Sequence, residues 1–156
     1  LIMSGQLSHE LEVSVGAGEV WEVYRGLQLG KLAWELLPDV IESVTLLDGD
    51  GGVGTILKAV FSDGKRSYNE KFTKIDDENR VKEAEIVEGG YLDIGFSLYR
   101  VRFEILENKA AAAAKSSIIK STIEYEIAAE YAANASLVST KLYELIAQAI
   151  GNYLSK

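Results

Sequence analysis

The chain has 156 residues and a formal net charge of −8, a length that predicts one domain with its own hydrophobic core. The acidic balance argues against non-specific binding to nucleic acid or to an anionic membrane, because both need clustered Lys and Arg. Since the chain has no cysteine and His9 is its only histidine, we expect no disulfide, no metal site of the usual kinds and no cofactor.

Residues 1–3 are apolar but too few for a signal segment or a membrane span, and we expect them to be disordered or foreign to the natural chain. The first predicted element is a strand over 7–14, in which apolar and polar residues alternate. His9 belongs to this strand, and we interpret it as a structural residue. Residues 17–37 place apolar side chains at helical spacing and predict two short helices, closed by Pro38.

The rest of the chain predicts further strands and one long helix. Gly, Asp and Asn clusters separate six strands, at 40–47, 55–62, 66–75, 80–88, 91–106 and 117–127. The last element is a helix over 136–154, with one apolar face formed by Leu142, Leu145, Ile146, Ala149, Ile150 and Tyr153. This order predicts an α+β fold in which a seven-stranded antiparallel sheet curves around the C-terminal helix and leaves a hollow between them.

Two loops are unusual. The stretch DGDGGVGT at 48–55 has the G-x-G-x-x-G spacing of a dinucleotide-binding loop, but such a loop holds phosphate only where it leads from a strand into a helix. Here an alternating, β-branched run follows, so we favour a hairpin in which glycine supplies the positive φ. Five alanines at 110–114 fall in the expected loop between the last two strands, where polar turn residues are usual.

Strand alternation places three ionisable side chains on the inner face of the sheet. Tyr68, Glu70 and Phe72 share the more apolar face of their strand, and Lys82 is in phase with Ala84 on the next one. A phenol, a carboxylate and an ammonium can therefore lie in one hollow. Burial there shifts the pKa values of these groups and makes them suitable for proton transfer. Two simpler interpretations stay open: an internal salt bridge between Glu70 and Lys82, or a bulge that turns one of them to solvent.

Over residues 5–155 the chain resembles the plant birch-pollen-allergen superfamily, also called pathogenesis-related class ten. Its GDGGVGT (49–55) matches the glycine-rich hairpin loop of that family. The resemblance implies a helix-grip fold of seven antiparallel strands, two short helices and a long C-terminal helix around a hydrophobic cavity. Within the superfamily the chain is most similar to norcoclaurine synthase and norbelladine synthase, in SHELEVS (8–14), LLPDVIESV (36–44), YNEKF (68–72), VEGGYLDIGFS (87–97) and IIKSTIEYEI (118–127).

This similarity implies a chemistry for the three inner residues. Norcoclaurine synthase joins dopamine to an aryl acetaldehyde, and its catalytic tyrosine, glutamate and lysine match Tyr68, Glu70 and Lys82. The match implies that Lys82 polarises the aldehyde and donates a proton, that Glu70 removes the ring proton, and that Tyr68 positions the phenolic substrate. Substrate contacts are expected from Leu57, Ala59, Phe61, Phe72, Ala84, Tyr99, Val101, Leu142 and Ile146.

The chain departs from norcoclaurine synthase at Val101, where that enzyme carries an aspartate. An aliphatic side chain offers the substrate ammonium no partner, and the resemblance implies an aliphatic residue in norbelladine synthase as well. This favours an enzyme that stops at the imine of a phenethylamine and an aromatic aldehyde.

Two other functions remain as alternatives. One is a non-catalytic binder of hydrophobic plant metabolites or hormones. The other is a nuclease-like defence protein, which is disfavoured because the chain is acidic and its glycine loop lacks the ending of a P-loop. For the condensing enzyme and for the non-catalytic binder alike, we expect a small-molecule partner and no binding to nucleic acid or membrane. We also expect a cytoplasmic location and a monomer or weak homodimer.

Overall fold

The computed structural model describes residues 1–110 and 115–156. Within these residues seven strands form one antiparallel sheet in the spatial order β1-β7-β6-β5-β4-β3-β2. The strands are β1 (Ile2–Val13), β2 (Ile41–Asp48), β3 (Ile56–Phe61), β4 (Ser67–Asp76), β5 (Val81–Gly89), β6 (Phe96–Glu107) and β7 (Ser117–Ala128). The helices are α1 (Ala17–Tyr24), α2 (Gln28–Leu36) and α3 (Lys141–Leu154), with 3₁₀ segments at Gly90–Ile94 and Ala129–Leu137.

The hydrophobic core lies between the inner face of the sheet and the three helices. The inward residues of β7 are almost completely buried, as the alternation of that strand predicts: Ile119, Ile123 and Ile127. From the other side α3 contributes Ile146 and Ile150, which are also buried. The predicted helix-grip architecture is therefore confirmed.

The docking of α3 depends on a glycine. A methyl group placed at Gly151 would lie 2.5 Å from Cγ1 of Val13 on β1, so only a residue without a side chain lets the helix approach the sheet this closely. The contact also sets which face of α3 is buried. Tyr153, predicted on the inner face, is 46% exposed, and Tyr143 and Ala147 are buried instead.

The glycine-rich stretch is a connection between strands, as predicted. Gly49, Gly51 and Gly54 all have positive φ, and β3 follows. The N–H groups of this loop are occupied internally: Gly51 donates to Oγ1 of Thr55 at 2.8 Å, and Gly54 donates to the carbonyl of Phe72 at 2.8 Å. No helix begins at this loop, so the requirements of a dinucleotide site are not met.

Three predicted boundaries were wrong. The first strand begins at Ile2, which pairs with Ala128, so residues 2 and 3 are ordered strand residues. The segment Gly90–Ile94, expected to be strand, is a 3₁₀ turn, because glycines on both sides adopt positive φ and break the ladder. The final helix begins at Lys141, and the alanine-rich segment before it is 3₁₀. Of the five-alanine tract, residues 111–114 lie outside the described residues.

No helix in the described part of the chain is both long enough and apolar enough to span a bilayer.

The glycine contact can be tested by a pair of substitutions. Gly151→Ala should lower the free energy of unfolding by about 1–2 kcal/mol, because overpacking against Val13 outweighs the gain in helix propensity. The matched control is Gly18→Ala on the exposed side of α1, where no described atom lies within 4 Å of the added methyl group; it should be neutral or stabilising. Urea denaturation measures both, and equal effects would contradict the account.

Candidate active site

A cavity of about 60 Å³ lies under α3, between α2 and the inner face of the sheet. For comparison, an engineered apolar cavity of about 150 Å³ in another protein binds one benzene molecule. Its walls are mostly apolar, and the polar side chains that reach it come from neighbouring elements. The lining residues are Leu29, Gly30, Ala33, Ile41, Val44, Leu57, Ala59, Phe61, Tyr68, Glu70, Phe72, Lys82, Ala84, Phe103, Leu142, Tyr143 and Ile146.

Lys82 reaches this cavity from β5 and is only 2% exposed. Its Nζ donates hydrogen bonds to the backbone carbonyls of Tyr24, at 3.0 Å, and of Gly26, at 3.2 Å. The same atom lies 3.7 Å from the centre of the Phe72 ring. The carbonyls at the C-terminal end of a helix have no partner within the helix and carry partial negative charge, so α1 stabilises the ammonium without a carboxylate.

Burial nevertheless makes the charged form of Lys82 costly. Desolvation lowers the pKa of Lys82 to about 8, an effect that the negative charge of Glu70 opposes and the positive charge of Arg25 reinforces. A lysine with a pKa near 8 exchanges its proton far more readily at neutral pH than an exposed lysine does. The side chain is therefore suited to act as a general acid.

Glu70 enters the same cavity from β4. It is partly accessible, but on the side that faces the cavity, and burial raises its pKa while the charge of Lys82 lowers it. No ion pair within 4.0 Å joins Glu70 to Lys82 in the described part of the chain. The strand pair has register shifts beside Glu70 and beside Phe72, but neither shift turns Glu70 or Lys82 away from the cavity. Among the described residues, the two side chains therefore form no direct ion pair, and both reach the cavity.

Two phenols complete the polar part of the cavity. Tyr68 comes from β4 and Tyr143 comes from α3, and the pKa of each lies well above its usual value because both are buried. Both therefore remain protonated as hydrogen-bond donors. Tyr143 was missed by the sequence analysis, since the predicted apolar face of the last helix did not include it.

Seven of the nine expected substrate contacts line the cavity, but Tyr99 and Val101 do not. Tyr99 is covered by the ring of Tyr91, which stacks on it at 4.2 Å between ring centres. Val101 is buried between its strand partners Ala84 and Ile123. The residue of β6 that reaches the cavity is Phe103, one alternation further along.

The sequence analysis also missed the contribution of α2. Leu29 and Ala33 line the cavity from one face of that helix, with Gly30 beside them. Their spacing of four residues is a helical signal that was available in the sequence. His9 lies elsewhere, beneath α3, with Nε2 3.7 Å from Oε1 of Glu144.

The chain belongs to the pathogenesis-related protein Bet v 1 family, whose model matches residues 2–156. Among its relatives, it is 50% identical to norbelladine synthase of Narcissus pseudonarcissus, over 97% of this chain and 93% of that protein. It is 38% identical to S-norcoclaurine synthase 2 of Papaver somniferum, over 99% of this chain and 67% of that protein.

Solved structures of norcoclaurine synthase are similar to this chain as well. Truncated norcoclaurine synthase from Thalictrum flavum superposes with a TM-score of 0.86 at 35% identity, covering 98% of this chain and 94% of that one. The same enzyme in complex with dopamine and hydroxybenzaldehyde gives a TM-score of 0.85 at 35% identity, covering 98% and 87%.

The electrostatic coupling in the cavity gives a direct prediction. In Glu70→Gln the pKa of Lys82 should fall below about 8, because the carboxylate that favours the ammonium is gone. The matched control is Glu85→Gln on the same strand as Lys82 but on the outer face, where Glu85 lies 3.6 Å from Arg100; it should leave the pKa unchanged. NMR titration of selectively labelled lysine measures both variants, and a rise in the Glu70→Gln protein would refute the coupling.

Proposed function

We propose that this chain condenses a phenethylamine, such as tyramine or dopamine, with an aromatic aldehyde through an iminium. One observation carries the proposal: a buried ammonium with a lowered pKa and a half-buried carboxylate with a raised pKa face the same apolar cavity without forming an ion pair. The similarity to norbelladine synthase and to norcoclaurine synthases supports the same reaction class.

The residues divide the proton transfers between them. The amine nitrogen attacks the aldehyde carbon while Lys82 donates a proton to the carbonyl oxygen, which gives a carbinolamine. Glu70 accepts the proton that the nitrogen loses and passes it back to Lys82, which then protonates the carbinolamine hydroxyl so that it leaves as water. The product of these steps is the iminium or, once its nitrogen proton is lost, the imine. Tyr68 holds a phenolic ring by hydrogen bond.

The position of Val101 favours an enzyme that releases the imine. Ring closure requires an electron-rich aromatic carbon held against the iminium, and a carboxylate that binds the amine would help to hold it there. Val101 is buried, aliphatic and outside the cavity wall, so it offers no such charge. Glu70 would be the base for the ring proton if closure did occur.

The cavity is too small for these substrates. Its volume of about 60 Å³ is less than half of the roughly 150 Å³ that accommodates one benzene ring, so it has to expand before it holds two aromatic rings. Leu142, Tyr143 and Ile146 line it from the first half of α3, so we propose that substrate binding displaces this part of the helix or its side chains. We also propose a cytoplasmic protein that is monomeric or weakly dimeric.

Lys82→Met and Glu70→Gln should each lower the rate of condensation of tyramine with an aromatic aldehyde by about 10²–10⁴-fold, the usual contribution of a general acid or base. Lys74→Met is the matched control, since Lys74 is an exposed lysine of β4 and should leave the rate unchanged. Trapping the imine with borohydride and quantifying the secondary amine by mass spectrometry gives the rates.

The same experiment separates catalysis from simple binding. A wild-type protein that yields no product above the uncatalysed rate, yet binds aromatic ligands tightly, would be a metabolite carrier and would refute the proposed reaction. A chiral tetrahydroisoquinoline product would retain the condensation but overturn the inference drawn from Val101.

A further inference from the structure

Two phenols from opposite walls meet inside the cavity, and the condensation steps described above use only one of them. Tyr68 stands on β4 and Tyr143 on α3. We propose that these two residues form a pair that binds the ring hydroxyl of a phenolic substrate, which makes Tyr143 a specificity-determining residue. This inference rests on the proposed function, because it assigns the substrate class of the same cavity.

The geometry of the cavity brings the two phenols together. Both side chains line the same cavity, and no hydrogen bond within 3.5 Å joins their hydroxyls in the described part of the chain. Two further tyrosines lie near the pair. Tyr91 and Tyr99 stack with their rings 4.2 Å apart, and the Tyr91 hydroxyl donates to the carbonyl of Leu137 at 3.4 Å.

The hydroxyl groups of Tyr68 and Tyr143 can form further hydrogen bonds inside the cavity. A phenol hydroxyl can donate one hydrogen bond and accept two. Neither the Tyr68 hydroxyl nor the Tyr143 hydroxyl has a hydrogen-bond partner within 3.5 Å among the described residues. A substrate hydroxyl fits between them, because it can accept from Tyr68 and donate to Tyr143.

Such a pair distinguishes substrates with a ring hydroxyl from substrates without one, because the latter leave its hydrogen-bonding groups unpaired. A substrate without the ring hydroxyl would bury both phenols with open hydrogen-bonding positions, and a site built to bind a hydroxyl rejects the analogue that lacks it. Burial keeps both tyrosines protonated, and the nearby charge of Glu70 acts in the same direction. The cavity should therefore prefer phenolic amines or phenolic aldehydes to their unsubstituted counterparts.

The test compares hydroxylated and unsubstituted substrates in the wild type and in Tyr143→Phe. One series uses tyramine against phenethylamine, and the other uses 4-hydroxybenzaldehyde against benzaldehyde, so the two arms show which ring is bound. In one arm Tyr143→Phe should lower kcat/KM for the hydroxylated substrate by about tenfold, the effect of one lost hydrogen bond in a buried site. The rate for the unsubstituted substrate should stay within about twofold of wild type.

Tyr153→Phe is the matched control. Tyr153 belongs to the same helix as Tyr143, but it is 46% exposed and does not line the cavity. This variant should keep the wild-type preference in both arms. Equal losses for hydroxylated and unsubstituted substrates in Tyr143→Phe, or no loss at all, would overturn the inference.

A binding measurement keeps this test independent of catalysis. Calorimetry with the same four compounds, added singly to the wild type and to Tyr143→Phe, should show a preference for the phenolic ligand that the substitution removes. If the wild type binds with that preference but forms no product, the phenol pair stands and the proposed condensation fails. If the wild type condenses the substrates but binds phenolic and unsubstituted ligands equally, the phenol pair fails and the condensation stands.

Discussion

The structure depends on how Lys82 is kept charged inside the protein. Its ammonium is held by two carbonyls at the end of α1, so its burial needs no carboxylate in contact. The position of that helix end is fixed from outside: Asp77 accepts hydrogen bonds from Trp21, at 2.9 Å, and from Arg25, at 2.8 Å. These contacts tie α1 to the turn between β4 and β5. Glu70 therefore forms no structural ion pair with Lys82, as its proposed role as a base requires.

The other elements give this charge its surroundings. The sheet supplies Glu70 and Lys82 from adjacent strands, and α3 covers them by packing closely against β1 at Gly151. Because the enclosed volume is small and mostly apolar, the charged forms are destabilised and both pKa values move toward neutrality. The shifted pKa values of Glu70 and Lys82 and the need of the cavity to expand on substrate binding thus have one cause, which is the small volume of the apolar cavity under α3.

Much of this arrangement was predictable from local patterns. The alternation of apolar and polar residues predicted that Glu70 and Lys82 lie on the inner face. This prediction holds despite the register shifts between β4 and β5, because neither shift reverses those side chains. What depended on tertiary contact was not predictable. The carbonyls that bind Lys82 belong to Tyr24 at the end of α1 and to Gly26 just beyond it, more than fifty positions away in the chain. The role of Tyr143 depends on which face of α3 packs against the sheet. Alanine-rich sequence before Lys141 is compatible with an α-helix, and only packing shows that it is 3₁₀.

The central claim is that Glu70 and Lys82 act together as one acid–base unit in this cavity. The most direct measurement is a double-mutant cycle on kcat/KM with the wild type, Glu70→Gln, Lys82→Met and the double variant. Residues that act as a unit give strongly non-additive losses, so the double variant should be about as slow as the slower single variant. Losses that multiply, with the double variant slower by the product of the two single effects, would show independent roles and contradict the account.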